Sequence, residues 1–160
     1  DNADNLQSTP SGDRNILNDT TAVGDKTNLL ASTPSLRPVQ GRIFSAFTPT
    51  NKYGNGDKKM GAGILFSVRK DTPVVATADG TITFAGNKYP LGPCIIIDHG
   101  YGLMTRYGQV QNILKHQGKR VKKGDIIAKT STTDGNVMSA ISYEILLHGI
   151  PVNPQKYILN

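Results

Sequence analysis

The chain has 160 residues, with 18 Lys and Arg against 12 Asp and Glu, 17 glycines, few aromatics and no tryptophan. That length fits one domain with an added arm, and no apolar run approaches the roughly 18 residues that a membrane-spanning helix needs. The single cysteine, Cys94, lies in Pro93-Cys94-Ile95-Ile96-Ile97; it can form no internal disulfide and reads as a small buried hydrophobe, not a nucleophile.

Charge is uneven. Residues 1–40 hold five Asp and three Lys or Arg, whereas 41–160 hold fifteen Lys or Arg and seven Asp or Glu. A basic body favours acidic partners such as phosphates, anionic lipid, wall polymers or an acidic protein face, although such a balance also serves solubility alone. Residue 1 opens a polar stretch with no apolar signal segment, so the sequence reads as a processed start from which no compartment follows. Residues 1–35 are rich in Asp, Asn, Thr and Ser and contain no aromatic residue. They lack the apolar surface to offset chain entropy and are expected to form an arm or linker. Ser35-Leu36-Arg37-Pro38-Val39 leads from this arm, taken as 1–40, into the folded body. Asn15-Ile16-Leu17 and Asn28-Leu29-Leu30 are candidates either to dock locally or to form a short helix.

From Gly41 onward, short β-rich runs separated by glycine predict an all-β body. Strands are expected at Arg42–Phe47 and Gly63–Val68, joined by a polar loop, Thr48–Lys59. Val74–Ala78, the Asp79-Gly80 turn and Thr81–Ala85 read as a hairpin. Cys94–Asp98 and Leu103–Tyr107 read as a second hairpin around His99-Gly100-Tyr101-Gly102. Gln111–Gln117 is expected to form one helical turn. Val121–Lys129 carries a turn at Lys123-Gly124-Asp125, Ala140–Leu147 is the last long strand, and Pro151-Val152-Asn153-Pro154 is a turn. Asp71-Thr72-Pro73-Val74-Val75-Ala76 and Lys123-Gly124-Asp125-Ile126-Ile127-Ala128 each place a polar turn before an apolar strand ending in alanine, which points to a repeated β half-unit.

Several of these pieces together resemble the lysostaphin-type, LytM-like zinc endopeptidases. They are Gly41-Arg42-Ile43-Phe44, Thr72-Pro73-Val74-Val75-Ala76-Thr77-Ala78-Asp79-Gly80, His99-Gly100-Tyr101-Gly102, Thr105-Arg106-Tyr107, Val121 to Ala128, Tyr143-Glu144-Ile145 and Pro151-Val152-Asn153-Pro154. They occur in the family's order over residues 41–160. The resemblance implies a duplicated hybrid motif, an antiparallel β-sheet sandwich, for that domain. It also implies a zinc site built from a His-x-x-x-Asp pair and the second histidine of a His-x-His motif, with a further histidine after the middle hairpin. Counting from the matched motifs, the first pair falls on Gly61 and Leu65, the His-x-His on Ala140 and Ser142, and the further histidine on Gln109.

Catalytic zinc takes about three N, O or S ligands and keeps one position open. Gly61, Leu65 and Ala140 offer no side-chain donor, and Ser142 and Gln109 are neutral oxygen donors. Gln109 takes up no proton at neutral pH and cannot act as a general base. The expectation is therefore a catalytically inactive homologue with no cofactor and no zinc. Its vestigial groove, walled by Gly61, Leu65, Arg106, Gln109, Ala140 and Ser142, would be a binding surface.

No second catalytic constellation is visible. His99, before a glycine turn, is expected to bond the local backbone; His116 and His148 read as loop residues without ligand spacing. Asp98 and Glu144 are isolated acids, with Glu144 expected to satisfy a hydrogen bond at a strand edge, and Ser142 lacks a nucleophile elbow. Lys115, His116, Lys119, Arg120, Lys122 and Lys123 form the densest charge, but no aromatics interleave, which argues against single-stranded nucleic acid. A lipoyl- or biotinyl-type carrier is disfavoured because Lys123-Gly124-Asp125 lacks the context of a modified lysine.

Degenerate members of the resembled family activate amidases or pair with active peptidases. The implied function is thus a non-catalytic module of the bacterial cell envelope, periplasmic or extracytoplasmic. It would bind and regulate or scaffold a peptidoglycan hydrolase or a cell-shape or division protein, with peptidoglycan itself as a further candidate ligand. The competing reading is a peptidoglycan hydrolase with a relocated, unconventional active site.

Overall fold

The structure, a computed structural model, describes residues 29–47, 63–130 and 138–159. The chain divides into two compact units, Asp1–Ala31 and Ser32–Asn160. In the first, residues 29–31 are helical, one of the two outcomes expected of Asn28-Leu29-Leu30, and Asn15-Ile16-Leu17 lies outside the described residues. The second is built from eleven strands and a 3₁₀ turn: β1 (Arg42–Ser45), β2 (Ile64–Arg69), β3 (Pro73–Val75), β4 (Gly80–Lys88), β5 (Gly92–Gly100), β6 (Leu103–Gly108), β7 (Asn112–Ile113), β8 (Arg120–Val121), β9 (Ile126–Lys129), β10 (Met138–Leu147), β11 (Ile150–Val152) and the turn Pro154–Lys156. Among the described residues no helix is long and apolar enough to cross a membrane. The expected loop Thr48–Lys59 lies outside the described residues.

The architecture is all-β and antiparallel, as the sequence pattern requires. A large sheet runs β1-β2-β10-β6-β5-β4-β8, with β11 also paired to β10, and a small sheet runs β3-β9-β7. β10 organises the large sheet. Its first half pairs with β2 (Tyr143 opposite Ile64), its second half pairs with β11, and β6 lies along its other edge. With neighbours on both edges, Ile141 through Ile145 are buried without a break.

Period-2 alternation decides the faces. Ile64, Phe66, Ile95, Ile97, Ile141, Tyr143 and Ile145 point into one core, where the small sheet meets them with Val74, Ala76, Ile127 and Ala128. Each large aliphatic or aromatic side chain buried there contributes about 1.5–3 kcal/mol. The intervening residues, among them Leu65, Ala140, Ser142, Glu144 and Arg106, lie on the opposite face of the large sheet.

The structure corrects four sequence expectations. Pro151 and Val152, expected in a turn, are extended in β11 opposite Leu146 and Ile145. Val74–Ala78 and Thr81–Ala85 do not form a hairpin: β3 pairs with β9 in the small sheet, and β4 pairs with β5 and β8 in the large one. Asp79-Gly80 is where the chain crosses between sheets. The peptide groups before it find other partners, because the Val75 N–H donates to the Pro38 carbonyl (2.8 Å) and the Ala76 N–H to the Asp125 carbonyl (2.9 Å). Gln111–Gln117 contains no helical turn; Asn112 and Ile113 are extended against Lys129 and Ala128, and the Leu114 N–H continues the ladder to Ile127 (2.8 Å). Glu144 sits in the middle of the large sheet, not at a strand edge.

The two rhyming segments lie side by side as β3 and β9, with Val74 opposite Ala128. The body also begins earlier than residue 41. Val39 is buried, and Pro38 supplies the β3 acceptor. The Lys123 ammonium donates to Ser35 Oγ (2.9 Å), and the Arg37 guanidinium lies 5.3 Å from the Phe66 ring centroid. Two prolines and a buried valine pack well even in an otherwise polar stretch.

Candidate functional site

Strand register assembles most of the sequence-predicted groove. Leu65 on β2 faces Ser142 on β10, and Ser142 in turn faces Gly108 on β6. These form one row across three strands, with Gln109 next to Gly108. Ala140 lies two residues along β10 on the same face, opposite Ser67. Arg106 lies one pair further along, opposite Glu144. Leu65, Ala140, Arg106, Ser142 and Gln109 thus share one end of one sheet face, while Gly61 lies outside the described residues.

Each side chain is held by local chemistry. Gly108 is required by space, because a Cβ there would overlap Ser142 Oγ and press on Leu91. Gln109 turns the chain with a left-handed backbone, φ 63°, a conformation that is uncommon for residues with a Cβ. It is pinned by its own groups, since its backbone N–H and its side-chain Nε2 both donate to the Leu91 carbonyl, each at 3.1 Å. Ser142 Oγ is buried and has no hydrogen-bond partner among the described residues. Glu144 is fully buried, and Arg106 Nε and Nη2 both donate to its Oε1. Taking a carboxylate out of water is costly unless it is paired, so Arg106 is committed to Glu144. Cys94 is buried as expected, and burial pushes its thiol pKa up.

The row does not fit zinc. Leu65 and Ala140 carry no donor atom, Ser142 supplies a lone hydroxyl, and Gln109 offers only a neutral amide oxygen. Among the described residues no three His, Cys, Asp or Glu side chains converge on a point that could hold a metal.

His99 is on the other face, in the core. Its Nδ1 lies 2.8 Å from the Asp79 carbonyl and its Nε2 lies 2.7 Å from Thr105 Oγ1. Burial lowers its pKa, so the ring is neutral. A carbonyl only accepts, which puts the ring proton on Nδ1 and makes Nε2 the acceptor from Thr105. The network continues from Thr105 to the Tyr107 hydroxyl (2.8 Å), from Tyr107 to Thr77 Oγ1 (3.0 Å) and from Thr77 to the Tyr143 hydroxyl (2.8 Å). The Thr77 N–H also donates to the Tyr107 oxygen (3.1 Å). Burial raises the pKa of both tyrosines, which keeps them protonated as donors. Both nitrogens of His99 are engaged, so it is not a base for Ser142. His116, ahead of the Gln117-Gly118 turn, and His148, in a turn after β10, are both exposed, as expected.

Sequence reasoning missed one part of the site. An open cleft of about 470 Å³ lies beside Gln109, lined by Asn87, Lys88, Tyr89, Pro90 and Gly92. Tyr89 is 82% exposed there. The signal was present in Gly86-Asn87-Lys88-Tyr89-Pro90-Leu91-Gly92, a turn-forming run between two apolar strands that brings its aromatic ring to the β4–β5 hairpin tip.

The architecture and the placement of these motif positions define a LytM-like domain. Residues 59–154 match Peptidase family M23, and the chain belongs to that family. It is similar to the DD-carboxypeptidase/endopeptidase Mpg of Neisseria meningitidis, at 34% identity over 60% of this chain and 22% of that protein. It is also similar to the murein hydrolase activator EnvC of Escherichia coli, at 27% identity over 82% of this chain and 32% of that protein. The matched region therefore spans less than a third of either relative. Among solved structures, the catalytic domain of lysostaphin from Staphylococcus simulans shares the fold, with a TM-score of 0.58 at 20% identity, covering 73% of this chain and 91% of that one.

Proposed function

We propose that this chain is a non-catalytic LytM-like module of the bacterial cell envelope that binds a peptidoglycan hydrolase and regulates or scaffolds it. The observation that carries the reading is the row Leu65–Ser142–Gly108 with Ala140 beside it. By the motif count Leu65, Ala140 and Ser142 take the positions of the family's zinc ligands, and none of them carries an imidazole or a carboxylate, which supports the reading. Without zinc, no water in this row is brought toward a neutral pKa, and neither Ser142 nor Gln109 has a base to replace it. An apolar leucine in place of a carboxylate suits a protein segment better than a hydrated cation. The likeness to a relative named as a murein hydrolase activator supports the same reading.

The test uses the purified chain and bacterial sacculi. The expected outcome is substoichiometric zinc, no muropeptide release by the chain alone, and faster release when the chain is added to a wall hydrolase of its own organism. Leu65→Glu, at a half-buried groove position, is expected to reduce that stimulation at least about tenfold, because it places an unpaired charge in the contact. Stoichiometric zinc, or sacculus digestion by the chain alone, would overturn the proposal in favour of a hydrolase with a relocated site.

A further inference from the structure

The strongest charge on the chain lies away from the groove. Between Leu114 and Lys129 there are six Lys or Arg and one acid, Asp125. Two of the six cations have neutral protein partners, since Arg120 Nη1 donates to Thr81 Oγ1 (3.1 Å) and Lys123 Nζ to Ser35 Oγ (2.9 Å). The local carboxylates are engaged by backbone: Asp125 Oδ2 accepts from the Lys122 N–H (2.9 Å) and Asp79 Oδ1 from the Lys123 N–H (2.7 Å). Lys115, Lys119, Lys122 and Lys129 form no ion pair among the described residues, and all but half-buried Lys115 are exposed.

Two aliphatic side chains are exposed within the same stretch, Leu114 at 50% and Ile126 at 44%. Their placement follows from the small sheet. β9 has the burial order exposed, buried, buried, exposed: Ile127 and Ala128 face the core, while Ile126 and Lys129 face outward. Leu114 and Lys115 follow directly from β7 on the neighbouring strand. The outer side of the small sheet therefore carries Ile126 and Lys129, with Leu114 and Lys115 following β7, while Lys119 and Lys122 flank β8 at the edge of the large sheet, next in sequence to the turn that leads into β9.

We infer that this surface docks on an anionic phospholipid membrane through Leu114, Lys115, Lys119, Lys122, Ile126 and Lys129. Lysine is a flexible point charge without the fixed fork of arginine, which suits laterally mobile headgroup phosphates. Exposed aliphatics between the lysines add shallow burial at the headgroup boundary. The small sheet covers the core face of the large sheet, so docking through its outer side and the adjoining β8 edge leaves the Leu65–Ser142 face, on the opposite side of the large sheet, off the lipid. The groove would then be held outward, toward the wall or a partner. The inference does not depend on the groove being non-catalytic.

The test is co-sedimentation of the whole chain with phosphatidylcholine vesicles containing about one third phosphatidylglycerol, against vesicles of phosphatidylcholine alone. The expected result is binding to the anionic vesicles only, weakening steeply with salt. Each interfacial lysine is worth about fivefold, so Lys119→Gln, Lys122→Gln and Lys129→Gln combined should weaken binding about a hundredfold. Leu114→Ala with Ile126→Ala should weaken it several-fold while leaving the salt dependence intact. The altered positions are surface ones, and an unchanged thermal transition verifies the fold of each variant. Equal binding to neutral vesicles, no binding to anionic ones, or wild-type binding by the triple variant would overturn the inference. So would release by charge-equivalent poly-L-glutamate together with full binding by the double alanine variant, which would mark a site for acidic protein.

Discussion

His99 is held neutral by two bonds of opposite sense, donating from Nδ1 and accepting at Nε2. Its pKa is lowered from the ordinary value of 6.5, chiefly by burial. Because the folded state resists protonation, the unfolded chain binds more protons as the pH falls below 6.5, and stability drops until the pH passes the lower folded value. Thermal denaturation should therefore give a falling Tm on acidification through that window, and His99→Gln should flatten the dependence. The same substitution should cost about 1–3 kcal/mol at neutral pH, because it disturbs buried partners at Asp79 and Thr105. The sequence led to a bond with the local backbone, whereas the carbonyl that His99 meets belongs to Asp79, 20 residues away in the chain. Its link to Tyr143 was not legible either, since the connecting residues Thr77, Tyr107 and Tyr143 come from three separate segments.

At the scale of elements, the close approach of β6 and β10 depends on Gly108. An alanine there would overlap Ser142 Oγ and crowd Leu91, and overpacking of this kind costs about 1–3 kcal/mol. Gly108→Ala should lower the midpoint of urea denaturation by that amount. Adding Ser142→Gly removes the overlapping atom, so the double variant should be more stable than the sum of the single effects. Strand positions were readable from apolar runs and turn residues. Pairing was less so, as the Val74–Ala78 segment shows: its alternation and the Asp79-Gly80 turn point to a local hairpin, but distant acceptors at Pro38 and Asp125 draw it into the small sheet. Gln111–Gln117 failed as a helix for a related reason, because β9 offers its backbone a strand partner.

Over the whole molecule, the folded body includes the segment ahead of Gly41. A chain starting at Gly41 loses the Val39 contact with the core, the Pro38 acceptor and the Arg37 contact with Phe66. Compared by calorimetry with a chain starting at Ser32, it should be less stable by more than about 2 kcal/mol. Composition concealed this, because the average over residues 1–40 is polar, while burial depends on individual side chains. By itself the sequence determined the all-β class, the family's motif order and the absence of donors at Leu65 and Ala140, since side-chain chemistry and period-2 patterning are local properties. Tertiary structure alone decided that Leu65, Ser142 and Gly108 form one row, that Arg106 is spent on Glu144, and that the cleft beside Gln109 is lined by the β4–β5 tip. Those outcomes depend on register between strands far apart in the chain, which no local pattern encodes.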